Sequence, residues 1–179
     1  MILPNQYKNV LLLSPDYVKQ VSIIGEEVNE DTIRVAVRKV QDVDLQKVLG
    51  SNLLRKLQEL IGTNAVASEG NEHYKMLLDE YIAPYMREMV VADISFDLGY
   101  KWRNKGIITT NDEYIANTPF GDIARLVDKH KVTAEAYRTY LCKFLCTNGA
   151  NYPELNCSCD GGLEPSRIKP ADPTPFYLG

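Results

Sequence analysis

Apolar positions recur along this chain at helical spacing, and polar or glycine-bearing breaks separate the runs. Ile33, Val37 and Val40 repeat at four then three, which is one face of a helix expected over about Glu30–Leu49. Before it, Ser14-Pro15-Asp16 reads as a helix start, with Ser14 as cap and Pro15 in the first turn; this short helix should stop before Gly25. The acidic stretch Gly25–Asp31 suits a helix N-terminus, where the dipole favours negative charge. Gly50 should end the 30–49 helix. Ser51 can cap the next, whose Leu53, Leu54, Leu57, Leu60 and Ile61 make a compact amphipathic run closed by Gly62. Thr63–Asn71 is small and polar and reads as a loop. The widest stripe lies in Glu72–Trp102. Tyr74, Leu77, Leu78, Tyr81, Ile82, Tyr85, Met86 and Met89 fill it, and Ala92, Phe96 and Tyr100 continue it. A helix this apolar should be central, with contacts on several sides. Pro84 removes a backbone donor inside it and should kink the helix or divide it.

Beyond Trp102 the pattern changes. Gly106–Thr110 is β-prone, Asn111-Asp112 signals a turn, and Tyr114-Ile115-Ala116 can return, so a small β-hairpin is expected near 104–118. Two strands alone are marginal in water, so the hairpin needs the helices or another subunit to pack on. A second long helix is expected from about Phe120 to Asn148, with Ile123, Val127, His130, Ala134, Tyr137, Leu141 and Phe144 close to a heptad seam. Asn148-Gly149 should stop it. From Pro153 onward the chain holds five of its nine prolines and no periodic apolar face, which reads as an extended arm. The arm closes on Phe176, Tyr177 and Leu178, three large apolar side chains that are costly to leave in water. The expected architecture is mainly α: a helical bundle of about four to five helices, a small β-hairpin insertion and an extended C-terminal arm. Its divisions are an N-terminal segment 1–25, a helical domain 26–152 and the Pro-rich arm 153–179.

Composition narrows the class. The 179 residues suit one domain with arms. A hydrophobic fraction of 45% with 25% charged residues matches a soluble globule and excludes a disordered chain. The net charge of −4 lacks the basic surplus of a nucleic-acid coat. Tyr outnumbers Phe 11 to 4, which suggests half-buried rings whose hydroxyls reach water or a partner. The apolar run Val10–Leu13 is far too short to cross a bilayer, and Lys8 is the only early base, so neither export nor a membrane anchor is expected.

Candidate chemistry is sparse. Cys142 and Cys146 are four apart on one expected helix, and Cys157 and Cys159 follow after a loop. Four thiolates can hold zinc, but this spacing is unlike the usual pair of knuckles. The plainer reading makes Cys142 and Cys146 small apolar fillers and leaves Cys157 and Cys159 exposed, all as reduced thiols. His73 and His130 read as packed or surface residues. The chain has no G-x-S-x-G, no phosphate-binding G-x-x-x-x-G-K-[ST] and no G-x-G-x-x-G. The acid pairs Glu26-Glu27 and Asp79-Glu80 read as solvated helix surface. No catalytic set and no cofactor is expected, and the chain reads as a non-enzyme. Lys101, Arg103 and Lys105 around Trp102, and Arg125, Lys129 and Lys131 on one helix, could meet a single strand, but short charge runs are more often solvated surface.

Taken in order, several short motifs resemble the head-to-tail connector, or adaptor, proteins of tailed bacteriophages. The likeness is greatest to the neck ring proteins of crAss-like and other Bacteroidetes phages and prophages. Asp44–Gly50 with Leu53-Leu54-Arg55-Lys56-Leu57 is similar to that family's acid, "L…LG", "L…KL" pattern. Tyr74–Asp79 with Tyr81-Ile82-Ala83-Pro84 is similar to its "Y..LL..YI.P". Asn104-Lys105-Gly106-Ile107 resembles its "NKGV", and Tyr137–Leu141 through Asn151-Tyr152-Pro153-Glu154 resembles its close. The resemblance implies a helical structural protein of the virion neck, made in the host cytoplasm, that assembles as a ring of about twelve copies. The implied partners are other copies of itself, the portal protein, further neck or tail proteins, and genomic DNA passing without sequence recognition. No membrane is implied. In such a ring the expected contact residues are Ile107, Ile108, Tyr114 and Ile115 of the hairpin and Phe176, Tyr177 and Leu178 of the arm. The alternative is a small helical DNA-binding or regulatory protein, with helices 30–49 and 51–61 joined like a helix-turn-helix.

Overall fold

Ser14 opens the first helix, α1 (Pro15–Val21): its hydroxyl accepts the Tyr17 amide at 3.1 Å. Asn29 caps α2 (Glu30–Lys39) in the same way, accepting the Asp31 amide at 2.7 Å, and Glu30 and Asp31 occupy the first turn. These elements come from a computed structural model, which describes residues 6–98, 100–103, 106–109 and 120–155. The helix does not stop at Lys39. It widens into a π-type stretch (Val40–Leu45), at whose end the Gln46 amide reaches back five residues to the Gln41 carbonyl, and continues as α3 (Gln46–Gly62). The break expected at Gly50 is present inside this rod. Gly50 has φ 73° and ψ 165°, a conformation that a side chain would strongly resist.

The end of α3 departs from the sequence expectation. Asn64, not Gly62, turns left-handed, with φ 54°. The Ala65 amide returns to the Leu60 carbonyl at 2.8 Å and the Asn64 amide to Ile61 at 3.0 Å, a Schellman closure. Gly62 itself stays helical. A Cβ there would lie 2.5 Å from Cδ1 of Tyr7, so the glycine makes room for a ring.

The second rod is α4 (Glu72–Met76), another π-type stretch (Leu77–Ile82) and α5 (Ala83–Leu98). The Ala83 amide bonds to Leu78, five residues back, and Pro84 follows at once. The widened turn takes up the proline ring, so the helix runs on instead of dividing. The third rod is α6 (Phe120–Asn148), about 43 Å long at 1.5 Å per residue.

α5 is the centre. Val90, Val91, Ala92 and Ile94 are buried although nearly contiguous, because α5 packs against both α2 and α6. From α6, Val127, Ala134 and Leu141 enter the interior at heptad spacing, joined by Leu145. The same core takes Leu12, Leu13, Val18 and Ile24 from the N-terminal segment and Tyr152 from beyond α6.

Residues 7–13 form a strap held mainly through its backbone. Gln41, fully buried in the first π-type stretch, accepts the Leu12 amide at 2.9 Å and donates to the Val10 carbonyl at 3.1 Å. Gln58 donates to the Lys8 and Val10 carbonyls at 3.3 and 3.4 Å. Arg38 reaches the Lys8 carbonyl at 3.3 Å and the Asn9 carbonyl at 2.7 Å. Irregular backbone against a core needs such partners, and these three side chains supply them.

Between α5 and α6, β1 (Tyr100–Arg103) pairs antiparallel with β2 (Gly106–Thr109), Tyr100 opposite Thr109 and Arg103 opposite Gly106. The hairpin expected near 104–118 is not supported. Gly106–Thr109 finds its partner upstream, and Asn104, Lys105 and residues 110–119 lie outside the described residues. The helical stripe Ala92, Phe96, Tyr100 had masked that upstream strand, because local periodicity carries no signal of cross-strand pairing.

Candidate interaction surface

α5 and α6 bring one charged cluster together. Glu88 accepts from Arg87 Nε at 3.0 Å, and its other oxygen lies 2.7 Å from Nδ1 of His130. Both partners of the cross-helix pair are largely buried, at 14% and 13% side-chain exposure, so the cluster ties the two helices. His73 is also structural: its ring lies against Tyr74, and its carbonyl accepts the Tyr152 hydroxyl at 2.9 Å. Among the described residues, no group of three or more His, Cys, Asp or Glu could hold a metal ion. Cys142 is half-buried against the core and Cys146 is exposed, both on α6; Cys157 and Cys159 lie outside the described residues.

An aromatic chain runs from the interior to the surface at the C-terminal end of α6. Tyr152 is buried, with its ring 5.6 Å from that of Tyr74 and 6.2 Å from that of Phe144. Phe144 stacks on Tyr81 at 4.0 Å and 20°. The Tyr74 hydroxyl donates to Glu154 at 2.7 Å, and burial followed by that carboxylate raises its pKa well above the ordinary phenol range. Burial likewise pushes Tyr152 up to about 12. Outward from Tyr81 and Phe144 lies a groove of about 420 Å³. Tyr137, Tyr140, Glu80, Lys143, Thr147 and Asn148 complete its lining. Tyr140 is 60% exposed there, with its ring edge-on to Tyr137. The Tyr excess pointed to half-buried rings, but not to this clustering. The available signal was Tyr137, Tyr140 and Phe144, at spacings of three and four on one helix face.

Other open surfaces occur among the described residues. A groove of about 730 Å³ runs along the strap and is lined by Leu11, Leu12, Tyr17, Ile61, Leu78 and Ala83. A smaller, charged one lies where α2, α5 and α6 meet, with Lys39, Asp44, Asp93 and Lys131; Lys39 and Asp93 are ion-paired. Exposed valines stand on two different rods: Val35 and Val43 beside α2's outer face, and Val132 on α6.

Of the expected contact residues, Ile107 and Ile108 lie in β2, opposite Trp102 and Lys101. Tyr114, Ile115, Phe176, Tyr177 and Leu178 lie outside the described residues. Of the basic residues, Arg125 pairs with Asp122 at 3.4 Å on the exposed side of α6. Among the described residues, no helix is long and apolar enough to cross a membrane.

A family model matches residues 45–163, well over half of the chain. The chain belongs to the DUF6712 family. That family is described as one of unknown function. No curated protein and no solved structure matches the chain. The DUF6712 segment begins at Leu45, within the first π-type stretch, and takes in α3 to α6 and Tyr152. The aromatic groove and the Glu88–His130 tie therefore fall inside the DUF6712 segment, whereas the strap, α1 and α2 precede it.

Proposed function

We propose that this protein is a structural component of a tailed-phage neck, in which about twelve copies form a ring that docks on the portal. The ring lets genomic DNA pass without reading its sequence and offers a platform for further neck or tail proteins. The reading is supported by the order of the connector-like motifs along the chain and by single exposed valines on two different helices. Val35 and Val132 are 68% and 73% exposed, on different helices that both pack on α5. A head-to-tail ring contact joins unlike surfaces, whereas a two-fold dimer needs only one. The long α5–α6 pair supplies the stiff part of the body.

Of the residues carrying the connector resemblance, Leu45, Leu49, Leu53, Leu57, Leu77, Leu141 and Tyr152 are core, whereas Lys47, Arg55, Lys75 and Asp79 are exposed. The apolar part of the resemblance is therefore one of packing, and the ring function follows from it as inference. The β1–β2 pair, with Ile107 and Ile108, would sit at the contact between copies, where it gains the neighbours that two lone strands lack, and Tyr114 and Ile115 would join that contact. The net charge of −4 suits a channel through which phosphates slide, because like charges do not grip.

Mass photometry and electron microscopy of the purified protein, alone and with portal, test this. Rings that form or dock in the presence of portal are expected, and Val35→Asp with Val132→Asp should disperse them. A stable monomer that ignores portal overturns the reading. Salt-dependent duplex binding by that monomer would favour the small DNA-binding protein instead.

A further inference from the structure

We infer that the aromatic groove on α6 is the docking site for this chain's own proline-rich C-terminal segment, Pro170–Phe176. The groove is walled by Tyr81, Tyr137, Tyr140 and Phe144, with Glu80 and Lys143 beside them. Open grooves lined by aromatic rings are how proteins hold proline-rich segments, whose polyproline helix is already stiff and loses little entropy on binding.

The chain carries such a segment. Residues 170–176 read Pro-Ala-Asp-Pro-Thr-Pro-Phe. In a polyproline helix of three residues per turn, Pro170, Pro173 and Phe176 share one edge. That edge presents two pyrrolidine rings and a phenyl to the tyrosines. In that same geometry Lys169 and Asp172 would fall on a different edge, with signs opposite to Glu80 and Lys143. The lengths agree: six steps at 3.1 Å make about 19 Å, and the α6 wall from Tyr137 to Asn148 runs about 16 Å.

The last described residue also lies beside the groove. Leu155, the last residue before 156–179, lies against Gly149, which directly follows Asn148 of the groove lining. Fourteen residues, 156–169, lie between Leu155 and Pro170; at roughly 3.3–3.6 Å per residue a chain of that length can reach up to about 50 Å, more than the groove requires. A tethered segment meets its own groove at millimolar effective concentration, so docking within one copy is favoured over exchange. This inference concerns the single chain and does not depend on ring assembly.

Hydroxyl-radical footprinting of the full chain tests it, with Tyr140 as the reporter and Tyr17, on another groove, as the reference. Oxidation of Tyr140 relative to Tyr17 should rise about twofold or more in Pro170→Ser/Pro173→Ser, and again in Phe176→Ser, as the rings are uncovered. Equal oxidation in wild type and both variants overturns the proposal. Carbodiimide cross-linking of Lys143 to Asp172 in a mixture of nitrogen-isotope-labelled and unlabelled chains identifies the copy. Peptides of one isotope are expected, and mixed-isotope peptides overturn docking within one copy in favour of exchange between copies.

Discussion

Gln41 gives the sharpest test of how the strap is held. Gln41→Met keeps the side chain's length and volume but removes both hydrogen bonds to the strap. The Leu12 amide, bonded at 2.9 Å in a buried setting, loses its acceptor. The Val10 carbonyl loses its 3.1 Å donor but keeps Gln58 at 3.4 Å. A buried donor left unpaired costs about 1–3 kcal/mol, and the second bond about 1 kcal/mol, so the strap should be weakened by about 2–4 kcal/mol. Against this, Leu12 and Leu13 remain buried in the core, at about 1.5–3 kcal/mol each. The second quantity is comparable or larger, so the strap stays docked but opens more often. An opening cheaper by about 2–4 kcal/mol speeds exchange of the Leu12 amide by about 30- to 700-fold, at tenfold per 1.4 kcal/mol. Native-state hydrogen exchange of the full chain measures this directly, and urea unfolding should show a lower midpoint at unchanged slope. Gln41→Glu should be worse, because it buries a charge and turns a carboxylate toward the Val10 carbonyl. Unchanged Leu12 protection and an unchanged urea midpoint in Gln41→Met would refute the strap's dependence on this side chain.

Other consequences are as specific. Gly62→Ala drives a methyl into the Tyr7 ring and should lower stability by about 1–3 kcal/mol in thermal unfolding; it should be tolerated once Tyr7 is replaced by Ala. Glu88→Ala leaves Arg87 and His130 facing a void and should cost about 2–4 kcal/mol. A double-mutant cycle with His130→Ala should return a coupling of at least about 1 kcal/mol. Burial raises the Tyr85 and Tyr152 phenols to about 12, against 10.0 for an unperturbed phenol. Their raised values mean that the folded state holds protons that the unfolded chain has lost. Stability should thus be full below about pH 10 and fall as pH climbs toward 12. Phenolate absorbance should rise together with unfolding, and Tyr85→Phe should flatten the decline.

Local chemistry was enough to place most of the helices. Ser14 and Asn29 are caps because a short side-chain oxygen satisfies an amide of the next turn, and neither needs the rest of the fold to do so. The spacing of Val127, Ala134 and Leu141 announced the buried face of α6, and the unbroken apolar run through Val90 and Val91 announced that α5 is central. Gly50 could be read as a break because only a residue without Cβ accepts its backbone angles cheaply. Features that depend on distant neighbours could not be read this way. Gln41 and Gln58 look like surface residues in a one-dimensional pattern; they are buried because a strap some thirty to fifty residues earlier brings them carbonyls to bond. Gly62 passes for a helix stop until Tyr7 is seen against it. Tyr100–Arg103 passes for helix until Gly106–Thr109 pairs with it. The aromatic groove joins Tyr81 to Tyr137, Tyr140 and Phe144 across two rods. Helical periodicity and caps are set within a turn or two of chain, whereas a partner for a buried amide, a ring or a strand edge exists only once the rods have packed.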